Sequence, residues 1–247
     1  MTEKAEILKL YKNLGETPLE CLLRFKNDHP EYKEVKMTYL GRLDPMAEGL
    51  LLVLSGDVRG KQEYLDLDKT YEFEVLWGCK SDSNDILGIV EAGEFPHKLE
   101  NKMFSLLKKI KEKTIQKYPM FSSKSFGGDF LRAREQKVEG YDSPEKRIKI
   151  FSLEHIHTRA IVGREILEEV ERRVTLVQGD FRQEKVLSSW RNLLMPHMNE
   201  TYLISKFTAD VSSGTYIRSL ADEMGEILGS KALAWSIKRT RVGSESL

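Results

Sequence analysis

The sequence predicts a single α+β domain covering residues 1–247. Apolar stretches typical of strands are mixed along the chain with stretches that have helical spacing. The two types do not follow each other regularly, as strand–helix–strand units would. No internal repeat, low-complexity tract or linker divides the chain, and 247 residues suffice for one large domain.

The first half of the chain predicts two helices and two strands. A helix begins at Pro18, after the capping residue Thr17, and stops before Pro30. The continuous apolar run at residues 50–54 predicts a buried strand, although periodicity alone leaves a buried helix open. Residues 70–77 alternate as a half-buried strand, residues 81–88 are rich in turn formers, and residues 98–117 form an amphipathic helix.

The second half predicts strands at residues 147–160, 201–211 and 232–242. Helices are predicted at residues 163–177 and 184–194. After a turn at Gly214, apolar residues recur at helical spacing from residue 215 onward. This last helix is apolar over most of its inner face, but Arg218 lies among the apolar residues and needs a partner there.

Charge and cysteine content bound the class of protein. The chain has 39 Lys plus Arg and 39 Asp plus Glu, so its net charge is zero. It therefore lacks the excess of basic residues that would most simply indicate nucleic-acid binding, although a basic face remains possible. Cys21 and Cys79 form no disulfide framework, and no apolar segment is long enough for a secretory signal or a membrane span. We therefore expect a cytoplasmic protein without a membrane contact.

Standard cofactor and metal motifs fail on inspection. Residues 56–61 are one residue short of a phosphate-binding loop, Gln62 stands where that loop has a hydroxyl, and no G-x-G-x-x-G is present. His155 and His157 would share a strand face, but no further ligands lie near them in sequence. We predict no cofactor and no metal.

The remaining motifs resemble one family. GRLDPMAEGLL at residues 41–51 resembles the catalytic motif of the TruB family of tRNA pseudouridine synthases, whose pattern is close to G-x-L-D-P-x-A-x-G-x-L. Four further segments are similar to other motifs of that family and occur in the same order along the chain. They are residues 69–88 (K-x-Y and an acidic loop), 118–135 (P-x-x-S-x-x-K), 212–229 (G-T-Y-I-R) and 239–243 (R-T-R-V-G). A single motif of this kind is weak, but the ordered set is specific.

The chain also departs from that pattern. Tyr39 replaces the usual histidine before the catalytic motif and Arg42 replaces the usual threonine, which gives the G-R-L-D style of ribosomal-RNA pseudouridine synthases. The early lysine–proline motif is Lys12-Asn13, with Gly15 kept. The resemblance ends with the catalytic part, so we expect no C-terminal PUA domain. These departures concern the RNA target more than the reaction.

The resemblance implies a fold and a reaction. The fold would be that of pseudouridine synthases, a mixed, largely antiparallel central sheet flanked by helices. The reaction would convert a uridine of the tRNA T loop, position 55 in standard tRNA numbering, to pseudouridine. This is an isomerisation that requires neither redox cofactor nor metal. The implied partner is the T arm of tRNA, and we expect the protein to be a monomer.

Three catalytic residues follow from the resemblance. Asp44 would be the essential aspartate, which either attacks the ribose or removes its C2′ proton, and both roles require the ionised form. Arg218 would keep it ionised and hold it by two parallel hydrogen bonds. Tyr71 would stack on the extruded uracil and assist proton transfer at C5. Without the resemblance, Asp44-Pro45 would be an ordinary turn and Tyr71 an ordinary core residue.

RNA contacts are predicted at several further positions. We expect Arg42 to meet a phosphate or the flipped nucleotide rather than to pair with Asp44. For Lys124 an ordinary solvated lysine is an equally good interpretation. The other predicted RNA-binding residues are Lys12, Arg132, Arg134 and Tyr216.

Two other functions stay open. The first is a ribosomal-RNA pseudouridine synthase of the same superfamily, which the G-R-L-D motif suggests. The second is a non-catalytic module that binds and releases tRNA. The presence of Asp44, Tyr71 and Arg218 together argues against the second.

Overall fold

The computed structural model describes residues 5–122 and 143–247. Its helices are α1 (Pro18–Asp28), α2 (Leu99–Lys111), α3 (Gly163–Val174), α4 (Gln183–Leu194) and α5 (Ile217–Ile227). Its strands are β1 (Glu6–Lys12), β2 (Met37–Tyr39), β3 (Ala47–Ser55), β4 (Lys69–Trp77), β5 (Cys79–Ser81), β6 (Val90–Ala92), β7 (Ile115–Lys117), β8 (Glu145–Arg147), β9 (Ile150–Val162), β10 (Thr201–Val211), β11 (Ala232–Val242) and β12 (Glu245–Ser246). Short 3-10 turns lie at Pro30–Tyr32, Val58–Tyr64 and Met195–His197.

An eight-stranded sheet forms the centre of the described chain. Its order is β1-β3-β11-β4-β10-β9, with β2 beside β3 and β12 beside β11. The strands β3 and β11 pair in parallel, whereas the other strand pairs of this sheet in the described residues are antiparallel. This mixed, largely antiparallel sheet with helices against it confirms the predicted α+β class.

The main core lies between the sheet and helices α2 and α5. The alternation in β4 turns Tyr71, Phe73 and Val75 to the same buried side, as predicted. Leu106 of α2 and Leu220 of α5 are both fully buried in the same apolar cluster. Each such side chain contributes about 1.5–3 kcal/mol by leaving water, so this core fixes the first turn of α5 against β4.

The helices α3 and α4 form a second apolar cluster behind the loop that follows β5. Ile166, Val170 and Trp190 are fully buried there against Leu76 of β4. The indole nitrogen of Trp190 donates a hydrogen bond of 3.1 Å to the carbonyl of Ile86 in that loop. The loop is therefore supported from behind by a helical layer that the chain inserts between β9 and β10.

Most predicted elements are present, with shifts at some ends. Helix α1 begins as expected, since the hydroxyl of Thr17 accepts from the backbone of Glu20, whose carboxylate accepts from the backbone of Thr17. The prediction of a helix to residue 117 is wrong: α2 ends at Lys111, and residues 115–117 pair with β8 instead. Strand β1, an edge strand paired with β3, was not predicted.

Within residues 5–122 and 143–247, no helix has the length and apolar character that crossing a bilayer requires.

Candidate active site

The bend between β2 and β3 carries Asp44. Its backbone is fixed at several points: the carbonyl of Asp44 accepts from Ala47 at 2.9 Å, and the carbonyl of Pro45 accepts from Gly15 at 2.9 Å. Gly49, just beyond the bend, has a φ of +109°, and a Cβ there would lie 2.3 Å from the carbonyl oxygen of Arg239. Glycine is required because β11 passes so closely. The bend is thus fixed by the packing of neighbouring strands.

Arg239 holds the same bend from inside the protein. Its side chain is fully buried and donates to the carbonyls of Leu50, Arg42 and Gly41 at 2.8, 3.1 and 3.4 Å. Carbonyl acceptors partly offset the cost of burying its charge. We did not predict Arg239 as a site residue, although alternation along β11 puts it on the face of Ile237, where a charge is unusual.

Arg218 and Asp44 form the ion pair that the sequence predicted. The Nε of Arg218 lies 2.7 Å from Oδ2 of Asp44. The arginine side chain is 4% exposed and the aspartate side chain 35% exposed, so the carboxylate faces open space while its partner is shut in. Burial opposes the guanidinium charge, but Asp44 and then Asp85 outweigh it and the pKa of Arg218 is raised.

The geometry of this pair differs from the predicted one. Two parallel bonds to Asp44 were expected, but Arg218 donates to Asp44 through Nε alone. The other two nitrogens donate to the carbonyls of Ser83 at 2.6 Å and Phe121 at 3.1 Å. The expectation of a fork on Asp44 is therefore wrong. The three nitrogens of the Arg218 guanidinium donate to three different segments of the chain, because packing brings these segments to the first turn of α5.

A second carboxylate, Asp85, approaches Arg218 from the loop after β5. Its Oδ2 lies 3.6 Å from Nε of Arg218, and its Oδ1 accepts from the hydroxyl of Ser83 at 2.6 Å and the backbone of Leu87 at 3.0 Å. Complete burial raises the pKa of Asp85, while Arg218 and the hydrogen bond from Ser83 oppose the rise. The sequence marked this segment as an acidic loop but gave Asp85 no role.

The face of Asp44 opens into a cavity of about 560 Å³. Tyr71 lines it and is 7% exposed. The cationic side chains on its wall outnumber the acidic ones, which are Asp44 and Asp66. The cationic residues are Arg42, Lys69, Lys146, Arg218 and Arg239. A neutral chain has thus concentrated positive charge around one carboxylate, which favours an anionic ligand.

Besides Arg239, two of these cations were not predicted. Lys146 donates to the carbonyl of Ser213 at 2.7 Å, beside the turn that starts α5. Lys69 donates to the carbonyl of Leu67 and, at 3.4 Å, to the hydroxyl of Ser213. Burial, followed by the charges of Arg239 and Lys146, lowers the pKa of Lys69 to about 8. Lys69 is the lysine of the K-x-Y motif, which could have marked it, whereas Lys146 had no sequence signal beyond its residue type.

The predicted RNA-binding residues fare differently. Arg42 is exposed and lines the cavity, and Tyr216 lines it with its hydroxyl 2.8 Å from that of Ser122. Lys12 does not fit an RNA contact, because it is 0% exposed and its ammonium donates to the carbonyls of Asn13 and Glu16. Burial lowers the pKa of Lys12 to about 8. The remaining predicted contacts, Lys124, Arg132 and Arg134, lie outside the described residues.

A second cavity of about 580 Å³ lies on the other side of the ion pair. Asp44, Arg218 and Arg42 line both cavities. The second one is more apolar, with Phe121 and Phe181 in its wall. The Asp44–Arg218 pair therefore contributes to both walls. We call the first cavity, lined by Lys69 and Lys146, the cationic cavity and the second, lined by Phe121 and Phe181, the aromatic cavity.

Comparison with solved structures identifies the fold. The chain resembles a chain of a Cbf5-Nop10-Gar1 complex with a TM-score of 0.56 at 20% identity, covering 96% of this chain and 48% of that one. A chain of an H/ACA RNP bound to a substrate RNA containing 2′-deoxyuridine gives a TM-score of 0.52 at 19% identity, covering 96% and 47%. At such identities the likeness concerns the fold.

Sequence comparison identifies the family. Residues 30–181 match the model of the TruB family pseudouridylate synthase N-terminal domain. Because that match covers more than half of the chain, the protein belongs to this family. The chain is 27% identical over 208 residues to a tRNA pseudouridine synthase B of Bartonella bacilliformis, covering 84% of this chain and 52% of the relative. With the relative from Aquifex aeolicus it shares 26% over 242 residues, covering 97% and 69%. The chain spans about half the length of the first of these relatives.

Proposed function

We propose that this protein converts a uridine in the T loop of tRNA to pseudouridine. The observation that carries the proposal is the half-exposed carboxylate of Asp44, bonded at 2.7 Å to a buried arginine and facing a cationic cavity. An RNA brings a phosphate charge with each nucleotide, and lysines and arginines on the wall would neutralise it. Membership of the TruB family supplies the reaction.

The reaction breaks the bond between C1′ of the ribose and N1 of uracil, turns the base, and joins C1′ to C5. The C5 proton is lost and N1 gains one, so the product is an isomer. Asp44 would act in its ionised form, either as the nucleophile at the ribose or as the base at C2′. Arg218 donates a hydrogen bond to that carboxylate and would hold it in place.

Tyr71 and the wall lysines would hold the substrate. A uridine in a folded loop must leave its stack, which costs a few kcal/mol. Stacking on the ring of Tyr71 would return about 1–3 kcal/mol of this. Arg42, Lys146 and Lys69 are the cations beside the same space and would contact phosphates.

A ribosomal-RNA uridine is the second candidate substrate. Arg42 favours it, since it occupies the position of a threonine in the tRNA-specific pattern. The proposal also includes action as a monomer in the cytoplasm, where the two free buried cysteines, Cys21 and Cys79, would stay reduced.

The test is Asp44→Asn, which keeps the size of the side chain and removes its charge. We expect no conversion of a tRNA transcript, measured as tritium released from 5-tritiated uridine at saturating enzyme, with unchanged thermal unfolding. Mapping pseudouridine in total RNA from cells with and without the protein distinguishes the two substrates. A variant that retains substantial activity would remove Asp44 from the mechanism.

A further inference from the structure

The helical pair α3–α4 is larger than its connection requires. The strands β9 and β10 are antiparallel neighbours, and Val162 at the end of one pairs with Thr201 at the start of the other. A few residues can close such a pair as a hairpin. The chain instead passes through two helices before it returns. The role of α3 and α4 therefore lies in the contacts that they make, since the connection from β9 to β10 does not require them.

The loop between α3 and α4 reaches the candidate active site. Arg182, at the start of α4, lines the aromatic cavity together with Asp44 and Arg218. Its guanidinium donates to both oxygens of Asp82, at 2.8 and 3.2 Å, and lies 4.4 Å from the centre of the Phe121 ring. The planar guanidinium can make both interactions at once, since it can donate two hydrogen bonds to a carboxylate while it stacks on an aromatic ring.

The two partners of Arg182 belong to the two segments that hold Arg218. Asp82 precedes Ser83, whose carbonyl accepts from Arg218 at 2.6 Å. Phe121 accepts from Arg218 at 3.1 Å through its own carbonyl. Arg182 thus fastens together the backbone acceptors that orient the guanidinium bound to Asp44.

The backbone of Arg182 supports the importance of its side chain. Its φ is +60°, in the left-handed region that side chains other than glycine rarely adopt. Such a conformation costs free energy and persists where surrounding contacts compensate for it. The contacts with Asp82 and Phe121 are the ones that Arg182 makes towards the site.

We propose that Arg182 is a positioning residue for the reaction: by joining the Asp82–Ser83 and Phe121 segments, it sets the orientation of Arg218 and thereby of Asp44. The inserted helices α3 and α4, which also support the loop after β5, then bring this side chain to the site. The inference rests on the proposed function, since it concerns the rate of uridine conversion.

The test compares Arg182→Gly, Arg182→Lys and Asp82→Asn with the wild type. Glycine accepts a φ of +60°, so the first variant is expected to fold. Single-turnover rates on a tRNA transcript should fall by about 10- to 100-fold in Arg182→Gly, with tRNA Kd changed by less than about threefold, because displaced catalytic groups slow the step without weakening binding. Arg182→Lys should recover part of the rate, and the double variant Arg182→Gly/Asp82→Asn should be no slower than the slower single variant.

Arg191→Ala is the matched control. Arg191 lies on the same helix and pairs with Glu171 at 2.7 Å on the exposed side, so its loss should leave the rate unchanged. A wild-type rate in folded Arg182→Gly would overturn the inference, as would a loss seen only in Kd, which would make Arg182 an RNA contact. Should the wild type itself convert no uridine, the proposed function fails, whereas normal wild-type conversion with insensitive variants refutes the positioning role alone.

Discussion

Replacing Arg218 tests the electrostatic basis of the site most directly. In Arg218→Leu, Asp44 loses its partner at 2.7 Å and Asp85 loses the charge at 3.6 Å. Breaking a buried pair by removing one partner costs about 3–5 kcal/mol. The side chain of Asp44 is 35% exposed, so water takes up part of this loss and the lower end of the range applies. A loss of about 3 kcal/mol from the transition state corresponds to a rate roughly 150-fold lower.

Arg218→Lys should lie between the leucine variant and the wild type. Lysine restores the charge, but besides Asp44 its single nitrogen can reach at most one of the carbonyls of Ser83 and Phe121, which in the wild type accept from two separate nitrogens. A lost hydrogen bond to a charged group costs about 1.5 kcal/mol or more, so a rate about tenfold below the wild type is expected.

The assay is the single-turnover rate of pseudouridine formation, with thermal unfolding measured in parallel. Arg173→Leu serves as the control, since Arg173 is 12% exposed and pairs with Glu169 at 2.7 Å, outside the residues that line either cavity. That variant should lose stability without losing rate per folded molecule. If folded Arg218→Leu keeps the wild-type rate, the pairing with Asp44 does not matter for the reaction. Equal rates in the lysine and leucine variants would refute the role of charge.

Two further predictions concern binding and stability. Lys146→Met should weaken tRNA binding and lower the slope of log Kd against log salt by about one, because one phosphate contact is lost. The control, Lys109→Met on the exposed face of α2, should change the slope little. An unchanged slope in Lys146→Met would exclude the contact between Lys146 and a phosphate. Burial raises the pKa of Asp222 to about 6, so the folded wild type holds a proton that the unfolded chain releases, and stability should fall as the pH rises from about 4 to 6. Asp222→Asn should lack this fall and should be more stable than the wild type by about 1–3 kcal/mol at pH 7. The free energy of unfolding of both proteins is measured from pH 4 to 8, and identical pH profiles would contradict the prediction.

Most of the long helices and strands were predictable from local sequence patterns, and the Asp44–Arg218 pair from the family resemblance. Alternation in residues 70–77 and helical spacing after Gly214 depend on local periodicity, which is why β4 and α5 formed where predicted. A charged arginine on an apolar helix face needs a partner, and the resemblance to the TruB family named Asp44 as that partner. The motifs that resemble the TruB family then supplied the reaction.

Only the tertiary structure decided which backbone groups and which distant charges complete the site. The division of the Arg218 fork among Asp44, Ser83 and Phe121 joins residues far apart in sequence, and no local pattern encodes such meetings. The same holds for Arg182, whose contacts depend on where the inserted helices dock. Lys12 shows the converse: its place in the early family motif led to the prediction of an RNA contact, but its side chain is 0% exposed and donates to backbone carbonyls. Burial and partner choice are properties of the packed chain, because they depend on all segments that converge at one place.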